Sequence, residues 1–388
     1  GGGGPTPPGT GDSLRNSVGK WRNGQGLPPK VRGVGYSVAG RAHFGDICCA
    51  REKTVSFITL VVVVAVIAVT FAASNNATTQ GQLVDAWKEG RPYECYTYSV
   101  DDSAQEGVEG EYVSEVFYHA AYNSVSNPYK VRVGDTSFEQ REGYLIRSKL
   151  TATLDGKDIR YVMECYFALT DGRNYLLPAA TFRSETVDDN EVLRMNGTYS
   201  GNNLSYTLKT ADGEKKGNVG LGSVYYDNNQ FAQSLRGVST FSSSLSFSFT
   251  TPVVNATEQV SASLTFSVGG TASVGDLPFA SAGKDGDGNE VNNATTTLEC
   301  YRATLGRATT VSGASQTYLY TVNPVYAAKS DDGTTTLLST YDNGKMWSLP
   351  HVLVGFVEPY NDADGNAQTV TYSLTGISLV NPNPSDAD

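Results

Sequence analysis

Apolar and hydroxyl-bearing residues alternate along two neighbouring stretches of this chain. Phe241, Leu245, Phe247 and Phe249 alternate with serines. Val260, Ala262, Leu264, Phe266 and Val268 alternate with Ser261, Ser263, Thr265 and Ser267. A period of two sends the apolar set to one face and the hydroxyls to the other, which predicts strands of an antiparallel sheet with one covered and one wet face. Ile159, Tyr161, Met163, Cys165, Phe167 and Leu169 form another such face, as do Tyr144, Ile146, Leu150, Ala152 and Leu154, and finally Val370, Tyr372 and Leu374. Turns separate these runs: Asp-Gly at 155–156, 171–172, 212–213, 332–333 and 364–365, and Asn343-Gly344. Such dipeptides accept positive φ and match hairpin twist. The runs 144–154 and 159–169 therefore predict a hairpin across Asp155-Gly156-Lys157.

Helical periodicity is sparse. Tyr112, Val113, Val116, Phe117, Ala120 and Ala121 fall on one stripe of a helix. Asn228 predicts the cap of a short helix, with Phe231 and Leu235 inward and Gly237 as its stop. Gln82–Glu89 predicts another. The fold class is mainly β: a large antiparallel sheet with two or three short helices.

One uncharged run, Thr54–Ser74, is 21 residues long, enough to cross a bilayer as a helix. Before it, residues 1–53 carry 8 Lys/Arg against 3 Asp/Glu, a net of +5; after it, 21 stand against 37, a net of −16. Basic residues beside an apolar span stay in the cytoplasm. Residues 75–388 are thus expected outside, as one β-rich domain. The run is a retained single-pass anchor or a signal segment cleaved after Ser74, since Ala72-Ala73-Ser74 supplies a small-residue exit. Residues 1–53 read as a disordered basic tail, opening Gly1-Gly2-Gly3-Gly4, with Met163 the first Met. Either the N-terminus is incomplete or this tail is not authentic coding sequence. Cys48-Cys49 beside the span are ordinary thiols or palmitoylation sites.

The exterior part is acidic, which argues against nucleic acid as a partner, because phosphate contacts need a basic stripe. Its three cysteines, Cys95, Cys165 and Cys300, each stand in Glu-Cys-Tyr. An odd number leaves at least one unpaired; the reading preferred is buried, unreactive Cys. With no CxxC or His cluster, no metal ligand set is expected. His119 and His351 lack companions at ligand spacing, and no G-x-S-x-G, H-E-x-x-H or P-loop is present, so no catalytic residue, cofactor or enzymatic activity is expected. The acidic loops 285–290 and 362–366 resemble fragments of a calcium loop but lack its order and distal Glu, so they read as turns. Five N-x-S/T sequons (Asn76, Asn196, Asn203, Asn255 and Asn293) are about what this composition produces by chance. Tyr225, Tyr226, Tyr318, Tyr320 and Tyr326 flank the strands and either line a groove or cover half-buried surface.

The segment from Tyr225 onward resembles proteins of the LolA-like lipoprotein-carrier superfamily. The likeness rests on Tyr225-Tyr226-Asp227-Asn228-Asn229-Gln230 leading to Ser234-Leu235-Arg236-Gly237, on the strand pair 240–251 and 258–268, and on Leu298-Glu299-Cys300-Tyr301-Arg302-Ala303 followed by Tyr318-Leu319-Tyr320 and Asn323–Lys329. It covers about 105 residues. It implies a strongly curved sheet, an open half-barrel, with helices plugging a concavity that holds acyl chains or other apolar ligands. The expected function is a non-enzymatic, membrane-anchored or secreted β-protein binding a lipid or other hydrophobic ligand against Phe241, Leu245, Phe247, Phe249, Leu264 and Phe266. The alternative is a surface protein that presents loops and has no pocket. No protein partner is indicated, and the membrane is the partner of residues 54–74.

Overall fold

The computed structural model describes residues 93–380, apart from 105–107, 120–129, 140–141, 155–156, 170–175, 238–240, 242–244, 257, 285–286, 288–289, 294, 307–314, 330, 340–344, 350 and 362–364. The tail, the apolar run 54–74, the helix expected at 82–89 and the turns at 155–156, 171–172 and 343–344 lie outside these residues. Among the described residues no helix is long and apolar enough to cross a membrane.

Period-two runs become strands because each can bury one face against its neighbours. The N-terminal half is a meander of β1 (Tyr93–Asp102), β2 (Glu109–His119), β5 (Gly143–Leu154), β6 (Lys157–Ala168), β7 (Leu177–Val187), β8 (Asn190–Tyr199), β9 (Asn203–Thr210) and β10 (Gly213–Gly220), with a small hairpin, β3 (Lys130–Val133) and β4 (Thr136–Glu139), inserted after β2. A helix, α1 (Asn228–Ser234), and a 3₁₀ turn, Leu235–Gly237, follow. The C-terminal half supplies β11 (Ser246–Val254), β12 (Gln259–Leu277), β15 (Thr296–Gly306), β16 (Gln316–Thr321), β20 (Leu353–Asn361) and β21 (Ala367–Ser378). Two inserts form small sheets of their own: β13 (Ser281–Lys284) with β14 (Glu290–Asn293), and β17 (Val325–Lys329) between β18 (Thr335–Leu338) and β19 (Lys345–Leu349).

The large sheet is antiparallel and 14-stranded, in the order β10-β9-β8-β7-β6-β5-β2-β1-β21-β20-β16-β15-β12-β11. It curves until it is nearly closed as a barrel, further round than the open half-barrel expected. The two halves join where β1 pairs with β21, Val100 facing Tyr372. The expected hairpin is present, with Leu154 facing Lys157 at its end and Ile146 facing Cys165 along it. The alternating Phe/Ser stretch is β11 paired with β12, Phe247 facing Phe266 and Phe249 facing Leu264. Gly213 and Gly333, the second residues of two Asp-Gly turns, hold φ of 117° and 86°, the left-handed region that those turns need.

The helix expected over Tyr112–Ala121 is instead strand β2, which pairs with β1 and β5. Its apolar residues are adjacent because both faces of the sheet are covered here. Val116 faces the interior core with Tyr112 and Tyr118 packed beside it. Phe117, of opposite parity, packs with Tyr93, Leu145, Tyr166 and Phe182 beneath Val131 and Val133 of the β3–β4 hairpin. Two-sided burial thus imitates a helical stripe. One α-helix is found among the described residues, where two or three were expected.

The two end strands, β10 and β11, do not pair with each other. The chain leaving β10 lies across the gap between them. Leu221 N donates to Asn202 O at 2.8 Å and the Tyr225 hydroxyl to Gly201 O at 2.6 Å, while Thr250 N donates to Val224 O at 2.9 Å and Tyr226 N to Thr250 O at 3.1 Å. This crossing segment then turns inward and starts α1. The β17–β19 sheet packs Val325, Ala327, Leu337 and Leu349 into the same interior core.

Candidate functional site

The interior of the sheet around α1 is the place where buried polar chemistry collects. Asp227 starts the helix. Its Oδ1 accepts from Asn229 N at 2.9 Å, while Gln230 Oε1 accepts from Asp227 N at 3.3 Å, a reciprocal capping box. The cap is thus one residue before the Asn228 expected. Tyr199 donates its hydroxyl to Asp227 Oδ2 at 2.6 Å. Burial pushes the Asp227 carboxyl up despite these hydrogen bonds.

Each side of α1 meets a different wall. Phe231 stacks on Phe249 with ring centroids 4.2 Å apart and meets Phe266 edge-on at 5.8 Å. Phe247 packs against Phe266 at 5.3 Å, and Phe241 stacks on Tyr301 at 5.1 Å and Tyr320 at 5.4 Å. The structure therefore gathers Phe241, Phe247, Phe249, Leu264 and Phe266 into one buried wall, with half-buried Leu245 packed against it. In this state the wall faces α1 and neighbouring rings.

The opposite wall is polar. Asn229 Nδ2 donates to Ile146 O at 3.1 Å and Gln233 Nε2 to Ser114 Oγ at 3.1 Å; Gln230 Nε2 donates to Leu176 O. Tyr320 reaches over and donates to Ala232 O at 2.8 Å. In the 3₁₀ turn, Arg236 pairs with Glu94 and lies over the Tyr96 ring, its Cζ 4.9 Å from the ring centroid. Arg236 Nη1 also donates to Gln233 Oε1 at 3.0 Å.

Among the described residues, two small cavities flank α1. A cavity of about 30 Å³ lies beside Asp227, between Met163, Arg183 and Val254. Another of about 40 Å³ lies between α1 and the aromatic residues of β16, β20 and β21. Each holds at most a few waters.

The two histidines outside the tail, His119 and His351, both pack against aromatic rings. His351 is buried, its Nδ1 2.7 Å from Thr321 O and its ring against Phe241 at 4.8 Å. His119 packs on Tyr166 at 6.0 Å. Among the described residues no cluster of His, Cys, Asp or Glu could hold a metal ion. Cys95, Cys165 and Cys300 carry free thiols; Cys165 and Cys300 are buried, and burial pushes Cys300 up to about 12. Tyr225, Tyr226, Tyr318 and Tyr320 are all buried. Most of the two calcium-like loops lies outside the described residues.

The sequence reading missed Glu94, Glu185, Arg236 and Glu358, all buried inside the sheet. A signal existed for two of them: Glu358 follows Phe356 at the spacing of one strand face, and Arg236 sits inside the short helical stop. No family model, no curated protein and no solved structure matches this chain.

Proposed function

We propose that residues 75–388 form a non-enzymatic domain outside the cytoplasm, held by residues 54–74 or released after Ser74. Its barrel is filled by its own helix, and it acts through its outer face and rim loops. The close packing of α1 against the described walls carries this reading. The cavities flanking α1 are about 30 and 40 Å³. A lipid-sized guest needs roughly several hundred Å³. The outer face has more room: a depression of about 450 Å³ lies over β8–β10, lined by Thr136, Asn196, Thr198, Ser205, Thr207 and Asn218. Tyr206 and Lys216 line it as well, so hydroxyls, amides and one cation are offered to a polar partner. Native mass spectrometry of residues 75–388 produced in cells is expected to give the protein mass alone. A co-purifying lipid would overturn this reading.

The second reading is a hydrophobic ligand that takes the place of α1. The grip on the helix favours it. Asn229, Gln230 and Gln233 hold one side of α1 by neutral hydrogen bonds, which water or a polar headgroup can replace. Phe241, Leu245, Phe247, Phe249, Leu264 and Phe266 would then receive the apolar part. Saturable binding of a fatty acid by the wild type would establish this reading in place of the first.

A further inference from the structure

The floor of the depression over β8–β10 is a grid set by strand register. Asn196 of β8 faces Thr207 of β9, which faces Lys216 of β10; the next row is Thr198, Ser205 and Asn218. Directly paired residues point to the same face of a sheet. Here it is the outer face. Asn196 Oδ1 accepts from Asp135 N at 3.1 Å and its Nδ2 donates to Asp135 Oδ2 at 3.2 Å, at the tip of the hairpin that covers the sheet from outside. Between the rows, Gly197, Tyr206 and Gly217 have the opposite parity, and Tyr206 packs inward with Leu204 and Leu208. The two rows therefore turn hydroxyls, amides and one ammonium toward the depression, and Thr136 of the hairpin tip walls one end.

The cations at this site are already engaged. Lys216 stands 3.4 Å from Glu214. In the row beyond, Arg194 pairs with Asp135 at 2.6 Å and with Glu191 at 2.7 Å, and Lys209 lies 3.7 Å from Glu191. Arg132 of the hairpin donates to Gly134 O at 2.9 Å. A phosphate or sulfate is held by cations free to converge on it, a divalent metal by converging carboxylates, and a lipid by apolar walls. The grid presents none of these sets. Its hydroxyls and amides both donate and accept, and so do the hydroxyls of a sugar.

We propose that this grid binds a neutral saccharide of one or two rings. Ser205 Oγ donates to Asn218 Oδ1 at 2.7 Å, which leaves the Asn218 Nδ2 hydrogens to donate to the guest. Thr198 and Thr207 offer hydroxyls across from it, and Asn196 is held in place by Asp135. The depression, about 450 Å³, falls within the range of about 300–1,000 Å³ of small-molecule sites. The inference rests on the outer-face reading above and names the class of its partner.

The test is titration calorimetry of the full chain with lactose, maltose, cellobiose and diacetylchitobiose, and with glucuronate as the charged control. Saturable binding of a neutral disaccharide is expected, tighter than that of glucuronate. Thr207→Val keeps the shape of the side chain and removes its hydroxyl, and should weaken binding about fivefold. Asn218→Ala should do the same, and keeps the test open if the first variant fails to fold. Ser373→Ala, on an exposed position of β21, should bind as the wild type does. No saturable binding of any of the four sugars, tighter binding of glucuronate, or wild-type affinity in both grid variants would each overturn the proposal. Absent sugar binding in a protein whose native mass carries no lipid removes the saccharide and leaves the outer-face reading; a co-purified lipid removes both.

Discussion

Arg236 and Glu94 form an ion pair of 2.5 Å in which the side chains are 1% and 2% exposed. It ties the turn after α1 to β1, on the far side of the interior from the segment that starts the helix. Tyr96 adds its hydroxyl to Glu94 Oε2 at 2.7 Å. Taking one partner away leaves the other charged and buried. Arg236→Met should therefore cost about 3–5 kcal/mol. Glu94→Leu added to it should restore much of that loss. Urea melts of the single and double variants measure both.

Phe231 is the side chain by which α1 fills the apolar wall. Phe231→Ala should cost about 3–5 kcal/mol and leave a void lined by Phe247, Phe249 and Phe266. An apolar void of this kind stays dry and admits small apolar guests. The variant should bind benzene or a fluorescent apolar dye that the wild type does not. Dye titration separates the filled-barrel reading from the displaced-helix reading, which expects the wild type to bind as well.

Two buried acids set a pH dependence of unusual sign. Burial pushes Glu358 up to about 8 and Glu185 up to about 7, with Tyr372 and Arg183 respectively opposing the shift. Between the unfolded value of 4.5 and these values the unfolded chain has lost the proton that the folded chain keeps. Stability from these groups is complete below that window and falls as pH rises through it. The fall should amount to a few kcal/mol for Glu358. Glu358→Gln removes one ionisation, so its unfolding free energy should decline less between about pH 5 and pH 8. Chemical denaturation across that range reads the difference.

The hairpin over the outer face depends on Gly134, at φ 55°, whose N donates to Glu164 Oε2 at 2.7 Å. A Cβ here would run into the Phe182 ring. Gly134→Ala combines left-handed strain with overpacking and should cost about 1–3 kcal/mol. A thermal melt shows the loss as a lower Tm.

The placement outside the cytoplasm proposed above rests on the +5 and −16 that flank residues 54–74. Protease added to intact cells or spheroplasts should digest residues 75–388. Digestion only after permeabilisation would refute the topology.

The strands were legible wherever one face is wet. β11 and β12 announce themselves because Ser246, Ser248, Ser263, Thr265 and Ser267 alternate with the wall that buries Phe231. The hairpin of β5 and β6 was legible for the same reason in the half next to its turn, where Thr151, Thr153, Asp158 and Arg160 are exposed, and α1 through its cap and Gly237. β2 was not, since a neighbouring hairpin covers its outer side and erases the alternation. The buried polar wall was hidden for another reason. Ser114, Gln233, Glu94 and Arg236 look like ordinary surface residues in one dimension, and only the distant pairings bring them together inside. How far the sheet closes was equally hidden, because it depends on where residues 221–227 cross from β10 to β11.

The seam between β1 and β21 has a consequence for how the chain reaches this state. Val100 and Tyr372 are direct neighbours there, although they lie far apart along the chain. Until Ala367–Ser378 emerges, β1 and β20 are both unpaired edges, templates for joining another chain. Contacts of such sequence separation make folding slow. The ordered sheet therefore needs β21 in place, and a chain truncated before β21 should aggregate rather than fold into a smaller version of itself.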